Sequence, residues 1–66
     1  MPVYTVVVEN PIIGQEIMRI ETDNRDVALT EAANLSRLHG TAVVYEQGLD
    51  IEVSRYRYGS EEHYQS

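Results

Sequence analysis

Residues 25–39 carry one amphipathic helical pattern, and it stands between two pairs of strand-like segments. A single helix can cover one face of a small sheet and no more, so this arrangement constrains the chain more than any other feature. Before the helix, Val3 to Glu9 (V-Y-T-V-V-V-E) is β-branched and aromatic almost throughout, the composition of a strand with buried faces. Asn10-Pro11-Ile12-Ile13-Gly14 is turn chemistry. Gln15 to Thr22 then alternates, with Met18 and Ile20 on one side and Arg19 and Glu21 on the other. These two segments read as a hairpin closed by a loop of about five residues.

Asp23 is the expected N-cap of the helix, with Asp26 at N3 adding negative charge to the first turn. Ala28, Ala32, Leu35 and Leu38 form the apolar stripe, Arg25, Thr30, Asn34 and Arg37 lie opposite, and Gly40 sits where a helix commonly stops. Thr41 to Glu46 reads as a third strand, Gln47-Gly48 as a turn, and Leu49 to Tyr58 as a fourth strand. Leu49, Ile51 and Val53 take the apolar side of that strand. After Ser54 the phase breaks, so either the strand runs past the core or a bulge near Ser54 resets it. The expected fold is α+β: ββαββ, a four-stranded antiparallel sheet in the order 2-1-3-4, with the helix on one face. Its core would be Tyr4, Val6, Val8, Met18, Ile20, Ala28, Ala32, Leu35, Val43, Tyr45, Ile51 and Val53. One domain over 1–59 and a short polar tail over 60–66 complete the reading, with no internal repeat apparent beyond the two hairpins flanking the helix.

Composition narrows the functions. A chain of 66 residues buries only about 60% of its unfolded surface, too little to wall a substrate pocket with its own core. With no cysteine there is neither a disulfide framework nor a thiolate metal site. Eleven acids against five arginines and no lysine give a net charge of −6. That balance argues against direct binding to DNA, RNA or anionic lipid, where cations must neutralise phosphates. No apolar run approaches the roughly 18 residues of a membrane span and no basic-then-apolar leader opens the sequence, so a cytoplasmic protein without membrane contact is expected. His39 reads as a cation-capable residue at the negative end of the helix, and His63, beside Glu61 and Glu62, as part of a solvated tail. Neither belongs to a nucleophile–base–orienter arrangement, and no Gly-rich loop precedes the helix. The expectation is no enzyme, no catalytic or metal-binding residue and no cofactor.

What remains is surface. Asp50 and Glu52 fall on the same side of the fourth strand, about 6.6 to 6.8 Å apart. Two phosphates two steps apart along one DNA strand are separated by about 6.8 Å. Glu46 and Glu21 could extend this negative field into a phosphate-mimicking surface for a basic nucleic-acid channel. The plainer reading is that alternating acids keep a half-exposed strand soluble, although −6 exceeds what solubility asks of so short a chain. Arg55-Tyr56-Arg57-Tyr58 alternates two Arg on one face with two Tyr on the other, residue types enriched at protein interfaces. The same four could instead cover the edge of the core with stems and rings. In the order 2-1-3-4 the fourth strand is a sheet edge, which also admits a homodimer through that strand.

Ile20-Glu21 leading into a helix with spaced alanines (Ala28, Ala32), followed by His39-Gly40-Thr41 leading into the third strand, is similar to the small anti-CRISPR proteins of phages and mobile elements that act on type I CRISPR effector complexes. The resemblance spans most of the chain as an order of elements. It implies a small antiparallel sheet with one helix, and stoichiometric binding to a host protein or ribonucleoprotein complex over its basic DNA- or RNA-contacting surface. Those proteins share no binding motif, so no residue role is carried over. The absence of lysine departs from members with basic contacts and favours the acidic, DNA-mimicking route. On this reading Glu21, Glu46, Asp50 and Glu52 stand in for phosphates, and Arg55, Tyr56, Arg57 and Tyr58 anchor the contact. The alternative is a small homodimeric structural or antitoxin-like module.

Overall fold

The computed structural model of the protein describes residues 3–46 and 51–62. Its elements are β1 (Tyr4–Asn10), β2 (Gln15–Thr22), α1 (Arg25–His39), β3 (Thr41–Glu46), β4 (Ile51–Arg57) and β5 (Ser60–Glu62). The strands form one antiparallel sheet in the order β2-β1-β3-β4-β5. The α+β class and the 2-1-3-4 order hold, but the sheet has five strands.

Local chemistry sets each junction. Asn10 closes the first turn by accepting from the Ile12 amide through Oδ1 and from the Gly14 amide through its carbonyl, with Gly14 at φ +67°. The helix is capped by Asn24, whose Oδ1 accepts from the Val27 amide at 3.1 Å, and not by Asp23. Asn24 is itself held by the Thr22 hydroxyl, which fixes the cap one residue later than the acidic pattern suggests. At the other end Gly40 donates to the Ser36 carbonyl at φ +124°, and a Cβ there would run into the Pro11 ring. Glycine is required at this position on both counts.

The helix packs small residues against β-branched ones. Ala28, Ala32 and Ser36 are fully buried over Val6, Val8 and Val44, with Ala42 also in the cluster, so the axis lies close to the sheet. The buried stripe is thus 28-32-36, with Leu29, Ala33 and Leu35 at its flanks, while Leu38 is 76% exposed. Ser36 is tolerated there because its hydroxyl donates to the Ala33 carbonyl and accepts from the Gly59 amide. The helix lies over β1 and β3 and touches β4 more than β2. Met18 and Ile51 are consequently exposed, not core, and Ile20 and Val53 are only partly buried.

Two further expectations are corrected. On β3 the helix side is taken by Ala42 and Val44, leaving Val43 and Tyr45 on the opposite face. T-A-V-V-Y-E is apolar on both faces, so only pairing with β1 (Val6 opposite Val44, Val7 opposite Val43) decides its phase. The phase break in β4 is a bulge at Val53: Ser54 pairs with Val44 and Glu52 with Tyr45, so Ser54 and Tyr56 point to the helix. Ser60–Glu62 is a strand, not part of a polar tail. Tyr58 and Gly59, at φ +51° and +87°, form a two-residue turn of the I′ type that folds it back on β4. The Tyr58 amide donates to the Gly40 carbonyl and the Gly59 amide to Ser36, fastening this turn to the end of the helix. Residues 63–66, including His63, lie outside the described residues, as do Leu49 and Asp50.

Candidate interaction surfaces

The face of the sheet away from the helix is organised in rows. Glu21–Thr5–Tyr45–Glu52 and Arg19–Val7–Val43–Arg55–Glu62 run across neighbouring strands, with Glu9–Thr41–Arg57–Ser60 beside them. Val7 and Val43 are only 7% and 2% exposed although they lie outside the helix-side core. The arginines flanking them in their row have stems long enough to shelter them while keeping the charge in water.

Those arginines are held by a device used twice. Register slips by one residue between Val8 and Glu9 on one side and between Val44 and Tyr45 on the other, leaving Ile17 and Val53 as bulge residues. In a regular strand, residues three apart face opposite sides. Each bulge brings Glu and Arg three apart onto the same face. Arg19 donates from Nη2 and Nε to the two oxygens of Glu16 at 2.8 and 3.1 Å, and Arg55 donates likewise to Glu52 at 3.1 and 3.4 Å. The hydrogen bonds from Arg19 hold the Glu16 carboxyl below its ordinary pKa, and the same contact raises that of Arg19. Water screens pairs this exposed, so their larger effect is to fix where the stems lie.

The duplication extends through both hairpins. At a constant offset of 36 residues, Thr5, Val7, Val8, Glu16 and Arg19 recur as Thr41, Val43, Val44, Glu52 and Arg55, and the bulge residue Ile17 recurs as Val53. With β1 antiparallel to β3 and β2 and β4 on their outer sides, this offset describes a pseudo-two-fold axis normal to the sheet between Val7 and Val43. An internal repeat is therefore present. The signal, T-x-V-V followed by E-[IV]-x-R, was readable in the sequence, but its spacing gained meaning only from the matching bulges.

Among the described residues, the expected contact residues do not form one surface. Glu21 and Glu52 share a row on the open face, at opposite ends and about 14 Å apart across three strand spacings. Glu52 is engaged by Arg55, and Glu46 follows the helix-side parity of β3. Arg55 and Arg57 are on the open face, the latter 3.5 Å from Glu62. Tyr56 belongs to the core, and Tyr58, exposed, is in the turn, so the two rings form no shared platform. Of the remaining acids, Glu9 lies toward the other end of β1 and Glu31 midway along the helix, and four lie together elsewhere. Glu21, Asp23, Asp26 and Glu46 gather at the end of the molecule where the helix begins, with Arg25 the cation among them and no ion pair to any of the four among the described residues. A shallow groove there, lined by Asn24, Asp26, Val27, Thr30 and Glu31, carries two carboxylates and no cation, the wrong sign for a phosphate ligand.

Among the described residues no three His, Asp or Glu side chains converge on a point that could hold a metal, and no helix is long and apolar enough to cross a membrane. No family model, curated protein or solved structure matches the chain.

Proposed function

We propose that the protein is a non-catalytic, cytoplasmic binding protein that occupies a basic, nucleic-acid-handling surface of a host protein or ribonucleoprotein complex, in the manner of the phage and mobile-element inhibitors its sequence resembles. The observation that carries this reading is the segregation of charge. Arg19 and Arg55 on the open face are tied to glutamates in forks and Arg57 lies beside Glu62, whereas Glu21, Asp23, Asp26 and Glu46 stand at one end without ion pairs among the described residues. Acids that only kept the chain soluble would gain nothing from being gathered, since a mixed surface serves solubility as well. Gathered, they present a focused negative field to a basic channel, which steers association and discriminates partners. The acidic surface thus moves from the fourth strand to the helix-proximal end, and Glu52 becomes part of the scaffold.

The test is capture of bacterial lysate on the immobilised protein, with bound proteins identified and then challenged with duplex DNA and salt. A nucleic-acid-binding complex should be retained, displaced by DNA, and weakened tenfold or more between about 0.05 and 0.2 M salt. Asp23→Arg with Glu46→Arg should remove binding without unfolding the domain, while Glu16→Gln should leave it unchanged. Retention indifferent to DNA and to the reversal at positions 23 and 46 would overturn the proposal.

A further inference from the structure

The pseudo-two-fold makes the two outer strands comparable residue by residue, and one of them is filled. On β4, Arg55, Tyr56 and Arg57 pair with Glu62, Glu61 and Ser60 of β5. The counterparts of these three on β2, at the same offset of 36, are Arg19, Ile20 and Glu21. Among the described residues nothing pairs with the outer edge of β2, an eight-residue strand that carries no proline or lysine. It also presents Ile17 and Met18 at 44% and 37% exposure. Such an edge is a template for a further strand.

The charges on β2 indicate which strand. We propose that β2 pairs antiparallel with β2 of a second copy, with Ile20 opposite Ile20 of that copy, joining the two sheets edge to edge. In this register Arg19 stands opposite Glu21 of the second copy and Glu21 opposite its Arg19, while Met18 meets Thr22 on the helix side. Shifting the centre to Arg19 sets arginine against arginine, and shifting it to Glu21 sets glutamate against glutamate. Cross-strand opposites attract and directly opposed like charges repel, so this strand selects its own register. The bulge at Ile17 ends the regular stretch and limits pairing to residues 18–22. The molecule already places opposite charges side by side across neighbouring strands: Arg57 of β4 lies 3.5 Å from Glu62 of β5. Among the described residues the other edge is less suited, because β5 supplies only three of them and its Ser-Glu-Glu would oppose acid to acid. The isologous contact takes Glu21 from the acidic group and leaves Asp23, Asp26 and Glu46 clear at both ends of the dimer.

Sedimentation equilibrium of the full chain should give a species of about 15 kDa, twice the 7.5 kDa of one chain. Arg19→Glu alone and Glu21→Arg alone each place like charges opposite one another, and should weaken the dimer by about tenfold or more across its two symmetric pairs. The double exchange of both residues should restore it. Circular dichroism checks that each variant is folded. Independently, Ile20→Cys puts one thiol on each side of the dyad. With Cα atoms about 5 Å apart it should oxidise to a disulfide-linked dimer, whereas Ser60→Cys on the opposite edge should not. Monomer at all concentrations, failure of the double exchange to rescue, or cross-linking through position 60 in place of 20 would overturn the proposal. Asp23→Arg with Glu46→Arg should leave the dimer intact, so the surface proposed above and this interface can fail separately.

Discussion

The two hairpins, residues 5–21 and 41–57, share an offset, a bulge and an Arg–Glu fork, yet they end in different surroundings. The second is closed on its outer side by β5 and on its inner side by the helix, which leans toward β4. Among the described residues the first keeps a bare edge and a partly uncovered helix side. Where the second has Tyr56 in the core, the first has Ile20 only partly buried, and where the second has Arg57 paired to Glu62, the first has Glu21 without an ion pair. One repeated unit thus supplies the scaffold, and the departures from the repeat mark what the scaffold presents. A single helix cannot treat two symmetric halves alike, so the half it neglects is left with surface to use.

The largest expected break in this comparison is at Gly40. It stands where the repeat has Tyr4, because the chain leaves the helix there at φ +124° beneath Pro11. Gly40→Ala should cost about 3 kcal/mol in denaturant unfolding, combining left-handed strain with overpacking. Next come the shared core positions. Val8→Ala and Val44→Ala, both at fully buried sites, should each cost about 2 to 3 kcal/mol, and a large inequality between them would show that the axis is not an energetic one. Ser36→Ala removes the acceptor of the Gly59 amide and should cost about 1 to 3 kcal/mol. Its signature is faster hydrogen exchange in residues 60–62 with β2 unaffected.

Two smaller effects sharpen the comparison. Among the described residues the buried Thr41 hydroxyl has no hydrogen-bond partner, so Thr41→Val should stabilise by about 1 kcal/mol, which thermal unfolding can detect. The last concerns Glu16. Because Arg19 depresses its folded pKa, the pair's contribution to stability is present above the carboxyl's unfolded pKa and fades as pH falls through the folded value. A carboxyl-detected titration should find Glu16 ionising at lower pH than the ordinary glutamate range, and Arg19→Gln should return it to that range.

Much of the framework was legible because it rests on local patterns. β-branched runs gave β1 and β3, the Asn-Pro-Ile-Ile-Gly turn gave the first hairpin, and Ala28, Ala32 and Gly40 placed the helix. The broken phase after Ser54 was also visible, and a bulge was one of its two readings. The candidate surface was less legible. Glu52 alternates like a solvent-facing acid, and nothing in that alternation says that Arg55 will grip it, since the contact exists only once Val53 bulges. Tyr56 looked like half of an aromatic pair and became core for the same reason. The fifth strand was hidden because Ser-Glu-Glu has no strand-forming composition; its place depends on a tight turn at Tyr58-Gly59 fastened to the helix by Ser36.

By itself, the sequence determined the α+β class, the order of the first five elements, the single covered face and the acidity, all of which follow from residue type and spacing along the chain. Only the tertiary structure decided which face each apolar residue of β3 takes, which acids are neutralised, and which edge stays open. Those are outcomes of register, and register is set between strands, where a one-residue slip at each bulge moves every following side chain to the opposite face.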